Sequence, residues 1–166
     1  MILIADASAL IALSVCNSLT VLDTLFGTVL VPEDVYHEVA AKDKPHSESL
    51  RNYLQGKVRQ VDMRHFVFLD AYADAGETTA MLLYKELDAD YLLIDDKRGR
   101  KVAAINQIKT IGSLGVLLQA KRTGLIASVA PLLAQIDASP VFISRSLLET
   151  VLELAGESDT LRDLRP

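Results

Sequence analysis

Five acidic residues stand where their carboxylates could act together on a phosphate ester: Asp6, Glu38, Glu77, Asp95 and Asp96. Carboxylates that converge on one place repel each other, so protons or a hard cation must neutralise them. Ligands that offer only oxygen favour Mg²⁺ or Mn²⁺, and such ions hold the attacking and leaving oxygens in phosphoryl transfer. The residue types therefore indicate metal-dependent hydrolysis of a phosphodiester, provided that the fold brings these side chains together.

Residues 91–101 concentrate this chemistry. The first four are apolar and predict a short buried strand that stops at Asp95 and Asp96. Ligands bind at the carboxyl ends of the strands in an open α/β sheet, so this strand would deliver both acids to a site. The four cations that follow would contact the phosphates of a substrate: Lys97, Arg98, Arg100 and Lys101. Taken alone, the stretch fits equally well a solvated Asp-Asp turn that leads into a charged helix.

Asp6 is placed at a strand end in the same way, because residues 2–5 are apolar and predict the first strand. Residues 9–15 predict the helix that follows, and Ser8 is a plausible N-cap for it. The structural alternative for Asp6 is also helix capping. A carboxylate just past a buried first strand nevertheless lies where α/β proteins build their sites.

Glu38 and Glu77 lie on predicted helices, and each has an ordinary structural explanation. Glu38 borders the buried face formed by Val35 and Val39, and most glutamates in such positions are simply on the surface. Glu77 lies in the first turn of the helix predicted over residues 76–87, where an acidic side chain complements the helix dipole. Neither residue would indicate a site without the other acids.

Short apolar runs alternate with helical patterns along the chain, which predicts a parallel sheet with helices on both faces. The predicted strands are residues 2–5, 28–31, 58–61, 91–94 and 108–111, and a last short apolar run covers 140–143. The predicted helices are residues 9–15, 18–26, 32–39, 47–55, 76–87, 97–106, 114–122, 128–136 and 145–155. Residues 66–72 fit a strand or a helix equally well.

Length and composition predict one ordinary globular domain. The chain has 166 residues, half of them apolar, and we predict a single domain over residues 1–156 with a polar tail over 157–166. Cys16 is the only cysteine, which excludes an internal disulfide framework and a Cys-based zinc site. The apolar N-terminus lacks a basic region, Asp6 interrupts it, and no window approaches the ~20 apolar residues of a membrane span. We therefore expect a soluble, cytoplasmic protein with no membrane partner.

Charge is distributed unevenly along the chain, which favours a polyanionic partner. The net charge is −5, yet residues 97–136 contain seven Lys and Arg residues and no Asp or Glu, a local charge of +7. The rest of the chain therefore carries −12. The overall negative charge argues against a protein that simply coats nucleic acid, and ordinary variation between helix surfaces is the alternative explanation of the basic segment.

Other kinds of site find little support in the sequence. The three histidines, His37, His46 and His65, lack the spacing of zinc ligands, and no Gly-rich phosphate-binding loop is present. The Gly-x-Ser-x-Gly motif is absent, and Ser8 has no evident histidine partner. A receiver domain is expected to carry an acidic pair after its first strand, and a haloacid-dehalogenase-like phosphatase is expected to carry Asp-x-Asp there. This chain has Asp-Ala-Ser, which disfavours both.

Five segments, in order along the chain, carry a resemblance to a known family. They are IADASAL at 4–10, VPEDVYHEV at 31–39, GETTA at 76–80, LLIDDKRGR at 92–100 and IGSLGVL at 111–117. In these segments and their spacing, the chain resembles the PIN-domain proteins, and more narrowly the compact prokaryotic PIN-like proteins of unknown function. The resemblance covers almost the whole chain, to about Gly156.

The resemblance implies a PIN-like α/β/α sandwich with a central, mostly parallel sheet. It also implies a metal-dependent ribonuclease, commonly the toxin of a toxin–antitoxin pair. Asp6, Glu38 and Asp96 fall on the metal-ligand positions of the family. Glu77 stands where many PIN nucleases have Asp, which lengthens the ligand by one carbon, and Asp95 stands where many have Asn.

We therefore expect an endoribonuclease that cleaves RNA by in-line attack of water activated by Mg²⁺ or Mn²⁺. Asp6 and Asp96 would bind the principal metal, Glu38 and Glu77 would complete or support the site, and Asp95 would be a further metal ligand. Ser8 matches a small hydroxyl residue that supports Asp6. The expected partners are RNA and a cognate antitoxin protein, and formation of a homodimer stays open. The rival expectation is a nucleic-acid-binding or regulatory PIN-like module with weak or no cleavage.

Overall fold

The computed structural model describes residues 1–41, 44, 46–62 and 75–159. Within these ranges the strands are β1 Ile2–Ala5, β2 Thr28–Pro32, β3 Val58–Arg59, β4 Tyr91–Leu93 and β5 Thr110–Ile111. The helices there are α1 Ala7–Val15, α2 Thr20–Phe26, α3 Glu33–Val39, α4 Ser47–Tyr53, α5 Ala75–Glu86, α6 Lys97–Ile105, α7 Ser113–Arg122, α8 Ala130–Asp137 and α9 Arg145–Ala155. The segment 66–72, which fits a strand or a helix, lies outside the described residues.

The strands of the described residues form one parallel sheet in the order β3-β2-β1-β4-β5. β1 lies at the centre, where Leu3 pairs with Val29 of β2 on one side and with Tyr91 of β4 on the other. The chain first builds outward from β1 through β2 and β3, and then returns to add β4 and β5 on the opposite side. The strand order therefore reverses between β1 and β4, and open α/β sheets bind ligands in the crevice at such a reversal.

Helices cover both faces of the sheet because the side chains of a strand point alternately to its two faces. Leu3 and Ala5 of β1 are fully buried in the larger core, which they share with side chains of α1 to α4 and α7 to α9. Ile4 is fully buried on the opposite face, in a smaller core formed with α5 and α6. The architecture is thus the predicted α/β/α sandwich.

The start of α1 differs from the prediction, because Asp6 rather than Ser8 is its N-cap. Asp6 has extended backbone angles, and its carboxylate accepts the N–H of Ser8, so the helix begins at Ala7 instead of residue 9.

Among the described residues, no single helix is long and apolar enough to span a membrane. Together α1 and α2 reach the length and hydropathy of a membrane span, but their axes are bent by 117° to each other.

The C-terminal helix α9 is held at both ends. Ser144 caps it, as predicted, by accepting the N–H of Leu147 at 3.4 Å. Just after Gly156, the carboxylate of Glu157 accepts hydrogen bonds from the side chains of Lys121 and Ser128 and from the N–H groups of Val129 and Ala130. Glu157, which the sequence assigns to the polar tail, therefore ties α9 to the end of α7 and the start of α8. Residues 160–166 of that tail lie outside the described part of the chain.

Candidate functional site

The reversal of strand order brings the ends of β1, β4 and β5 side by side, and each end leads into a helix. Asp6 follows β1, Asp95 and Asp96 follow β4, and Ser113 begins α7 just after β5. The backbone N–H of Asp6 donates to the carbonyl of Leu93 at 2.9 Å, so the pairing of β1 with β4 continues up to the first acid. The carboxyl ends of these strands therefore bring together three acids from two distant parts of the sequence, namely Asp6, Asp95 and Asp96.

A single hydroxyl connects Asp6 with the end of β4. Ser8 Oγ donates to Asp6 Oδ2 at 2.8 Å and accepts the N–H of Asp95 at 3.2 Å. The N–H of Ser8 donates to the same Oδ2 at 3.2 Å. Asp6 is only 4% exposed, and burial of a carboxylate is unfavourable unless hydrogen bonds compensate for it. Ser8 therefore has the geometry of a residue that orients Asp6.

Asp95 binds Ser113 through both of its carboxylate oxygens. The N–H of Ser113 donates to Oδ1 at 2.8 Å, and Ser113 Oγ donates to Oδ2 at 2.6 Å. Ser113 is the first residue of α7 and is fully buried, so the bond joins the end of β4 to a helix start inside the protein. In this structure Asp95 thus holds two elements together, in addition to the metal-ligand role that we predict for it.

Asp96 is the N-cap of α6. Its Oδ1 accepts the N–H groups of Arg98 at 2.7 Å and Gly99 at 2.8 Å. The pKa of Asp96 is lowered, first because of the bond from Gly99. Partial burial acts in the opposite direction, while the N–H of Arg98, a side-chain hydrogen bond with Glu77 and the charge of Arg98 lower the pKa further. Capping and contact with a second acid are thus properties of the same side chain.

Glu77 comes close to Asp96 because its side chain lies against Gly99 of α6. A methyl group in place of a Gly99 hydrogen would lie 2.5 Å from Ile94 Cδ1 and 2.7 Å from Glu77 Oε1. Glu77 is 5% exposed, so its carboxyl lies against the backbone of α6 and not in water. A buried carboxyl beside a second carboxylate is an arrangement that a bound cation would stabilise.

Glu38 has different surroundings. It lies on the outer side of α3, exposed, and its carboxylate is 3.8 Å from the ammonium of Lys44. The helix itself is close to the site, since α3 packs against both α1 and α5. The structure therefore brings Glu77 and Asp96 together and holds Asp6 on the same edge, while Glu38 is in an ion pair at the surface.

Two of the four predicted phosphate-binding cations line a cleft beside these acids. The cleft has a volume of ≈ 860 Å³, and its polar end includes Ser8, Asp95, Asp96, Lys97 and Arg100. Arg98 and Lys101, each one position further along α6, are rotated from it by about 100°. All four cations are exposed. The helix thus presents Lys97 and Arg100 to the cleft and the other two cations to neighbouring surface.

Arg100 also approaches Asp95. A methyl group on Gly112 would lie 2.8 Å from Asp95 Oδ1 and 3.2 Å from Arg100 Nη1, so Gly112 leaves room for both side chains. The guanidinium therefore stands next to the strand-end acids, where it offers several N–H donors in a planar fork that matches a phosphate.

The donor set fits a hard divalent cation in its chemistry, because Asp6, Glu77 and Asp96 offer only carboxylate oxygens. The contact between Glu77 and Asp96 provides two of those carboxyls at one point. Across residues 1–41, 44, 46–62 and 75–159, however, no three Asp, Glu, His or Cys side chains are arranged so that they could hold one metal ion. The described residues thus give the chemistry of a metal site without its complete coordination geometry.

Ser113 and Gly99 contribute to this geometry, although neither is among the candidate residues predicted from the sequence. Ser113 could have been found from its position, because it directly follows Gly112 at the end of a predicted strand. Gly99 interrupts the run of cations at the start of a helix, where glycine is otherwise unfavourable, and this signals a close approach of another element.

Comparison with known proteins gives one family. A family model described as a PIN domain matches residues 2–157. No curated protein matches the chain, and no solved structure matches it. The matched range includes every candidate site residue discussed above and all elements from β1 to α9.

Proposed function

The chain belongs to the PIN-domain family, and from that premise we propose that it is a metal-dependent endoribonuclease. The family is generally of nuclease type, and our proposal adds RNA as the substrate and Mg²⁺ or Mn²⁺ as the ion. The observation that supports it best is the contact between Glu77 and Asp96 on the sheet edge that also carries Asp6. Acids at a reversal of strand order, with Asp95, Asp96, Lys97 and Arg100 lining one cleft, favour chemistry on a phosphodiester.

In this proposal Asp6, Glu77 and Asp96 hold the divalent cation. Glu38 completes the site from α3, so metal binding competes with its ion pair to Lys44. The ion, when bound, would supply a water of lowered pKa and a counter-charge for the phosphate.

The remaining residues of the cleft position the acids and the substrate. Ser8 keeps Asp6 oriented, and the bond between Asp95 and Ser113 keeps the edge of the sheet rigid. Lys97 and Arg100 bind the phosphates on either side of the scissile bond and orient them toward the acids.

The experiment is cleavage of a fluorescently labelled RNA by the purified full chain, with Mn²⁺ and with EDTA. We expect cleavage with Mn²⁺ that stops with EDTA and with Asp96→Asn. Asp88→Asn is the matched control, because Asp88 is exposed and precedes the amino end of β4, at the opposite end of the strand from Asp96. Its φ is +47°, which asparagine also adopts. Equal cleavage by wild type and Asp96→Asn would contradict the proposal.

A second candidate is a nucleic-acid-binding or regulatory PIN-like module with weak or no cleavage. The observation that favours it is that no three metal-binding side chains assemble among the described residues. The same experiment distinguishes the two functions. A binding module should bind the labelled RNA but leave its length unchanged, both with Mn²⁺ and with EDTA.

We also propose that the enzyme is the toxin of a toxin–antitoxin pair and that an antitoxin protein is its partner. This step rests on the resemblance to compact PIN-like proteins related to toxins. Induced expression in a bacterial host should arrest growth for wild type and for Asp88→Asn but not for Asp96→Asn. Co-expression of a small protein encoded next to this chain should restore growth, and unaffected growth at high levels of wild type would contradict the toxin role.

A further inference from the structure

Much of the lining of the cleft is apolar and unusually open to water. Residues 141–143, which precede α9, and the α9 side chains Leu147, Val151 and Leu154 form much of it. Phe142 is 90% exposed, and Leu147 and Leu154 are 47% and 57% exposed. Several large apolar side chains left exposed along one cleft indicate a binding surface.

Charge and shape make this cleft complementary to a nucleotide chain. Lys97 and Arg100 line the same cleft as Phe142, so a ligand that is anionic in one part and flat and apolar in another matches both. The volume of ≈ 860 Å³ lies within the range of roughly 300–1,000 Å³ that holds small-molecule ligands of about nucleotide size and larger. A peptide helix would match the apolar wall but would leave the two cations without a counterpart.

We propose that Phe142 is a base-stacking residue: its ring stacks on the face of an unpaired nucleobase while Lys97 and Arg100 bind phosphates of the same strand. The inference rests on the proposed function and adds a determinant of specificity to it. A stacked face is accessible only in single strands, loops and bulges, because the bases of a duplex already stack on each other. Phe142 would therefore contact unpaired bases with little preference for base identity, since every base has a π-face.

The test measures binding in EDTA, where cleavage does not interfere. Fluorescence anisotropy is recorded for the full chain with three labelled probes of the same length: a single-stranded RNA, a blunt duplex of the same sequence, and a strand with abasic sites. Stacking of one base on an aromatic side chain is worth about 1–3 kcal/mol, so Phe142→Ala should weaken single-strand binding roughly 5- to 150-fold. Binding of the abasic strand should be unchanged by the variant.

Conservative variants separate stacking from simple apolar contact. Phe142→Tyr should bind single strands as wild type does, whereas Phe142→Leu should be weakened like Phe142→Ala. Because Phe142 is 90% exposed, all three variants should have the melting temperature of wild type. Full binding by Phe142→Leu, or equal losses for the single and abasic strands, would overturn the stacking role.

Failure of this inference is distinguishable from failure of the proposed function. If wild type binds none of the three probes, the proposed function fails and the inference with it. If wild type binds the single strand and Phe142→Ala binds it equally well, the inference alone is overturned. A variant that binds RNA normally but loses self-association in sedimentation would assign the surface to a second copy of the chain, which also overturns it.

Discussion

Asp95 accepts two hydrogen bonds from Ser113, one from its N–H at 2.8 Å and one from its hydroxyl at 2.6 Å. The next residue, Asp96, instead caps α6 and meets Glu77. Two adjacent aspartates at one strand end thus have different neighbours. Asp95 joins β4 to α7, whereas Asp96 brings a carboxylate to the cleft. Their substitution should therefore have different consequences.

Ser113→Ala should destabilise the fold by about 1–3 kcal/mol, because it leaves a half-buried carboxylate oxygen without its donor. Asp95→Ala should have a similar effect, and the double variant should lose less than the sum, since both changes break the same bond. Urea denaturation of the four proteins measures this coupling. Additive losses would show that the pair contributes no joint stabilisation.

Asp96→Asn should lower the melting temperature in EDTA at neutral pH, because the lowered pKa of Asp96 means that its charged form stabilises the fold, and asparagine replaces the helix cap but not the charge. The same change should blunt stabilisation by Mn²⁺. A metal that binds only the folded protein stabilises it by ~2.7 kcal/mol at a concentration one hundred times its dissociation constant. Thermal unfolding of both proteins, with millimolar Mn²⁺ and with EDTA, measures both effects.

The control for this experiment is Asp88→Asn, which changes charge equally before the amino end of β4. It should keep the full Mn²⁺-dependent shift of wild type. Absence of any shift in wild type at millimolar Mn²⁺ would remove the metal site from the proposal and leave the fold.

Gly99→Ala should destabilise the protein by about 1–3 kcal/mol, because the new methyl group would lie 2.5 Å from Ile94 Cδ1 and 2.7 Å from Glu77 Oε1. Gly115→Ala is the matched comparison, since its methyl group would meet Ile111 Cγ1 at 3.2 Å and α7 would gain helix propensity. We expect that variant to be close to neutral. Urea denaturation gives both values, and equal stabilities would show that α5 and α6 do not pack at Gly99 as closely as described.

Arg100→Ala should lower the slope of log binding constant against log salt concentration by about one, because Arg100 lines the cleft. Arg98→Ala removes the same charge from the neighbouring surface of α6 and should change the slope less. RNA binding by both variants, measured in EDTA over a range of salt concentrations, compares them directly. Identical slopes would assign the phosphate contacts to the whole helix surface instead of the cleft.

Glu157 should make stability depend on pH far from the acidic site. Burial alone would raise its pKa, but Lys121, Ser128 and the N–H groups of Val129 and Ala130 outweigh burial and lower the pKa to about 2. A carboxyl with a lowered pKa in the folded state stabilises the fold fully above its unfolded pKa of 4.5. That contribution disappears as the pH falls toward 2.

The measurable consequence is a gap in stability between wild type and Glu157→Gln that depends on pH. We expect about 1–3 kcal/mol at pH 7 and a progressively smaller difference below about pH 4.5. Glu153→Gln, on the exposed side of α9, should match wild type throughout. A gap that stays constant down to pH 2.5 would mean that packing, and not charge, accounts for the effect of Glu157.

The local sequence pattern was sufficient to predict the order of the elements and the position of three candidate acids at strand ends. Apolar runs that stop at Asp6 and Asp95 predict strand ends, and parallel strands separated by helices must present those ends on one edge. Asp96 follows from the same rule, as does the placement of cations beside it. These features depend on periodicity and on residues adjacent in sequence, which the sequence displays directly.

Tertiary structure alone decided which acids touch and which do not. The contact of Glu77 with Asp96 depends on how closely α5 approaches α6 at Gly99, and the bond from Ser113 to Asp95 depends on β5 lying next to β4. Such contacts join residues far apart in the chain, so they depend on strand order and helix packing, whose geometry no local sequence pattern determines.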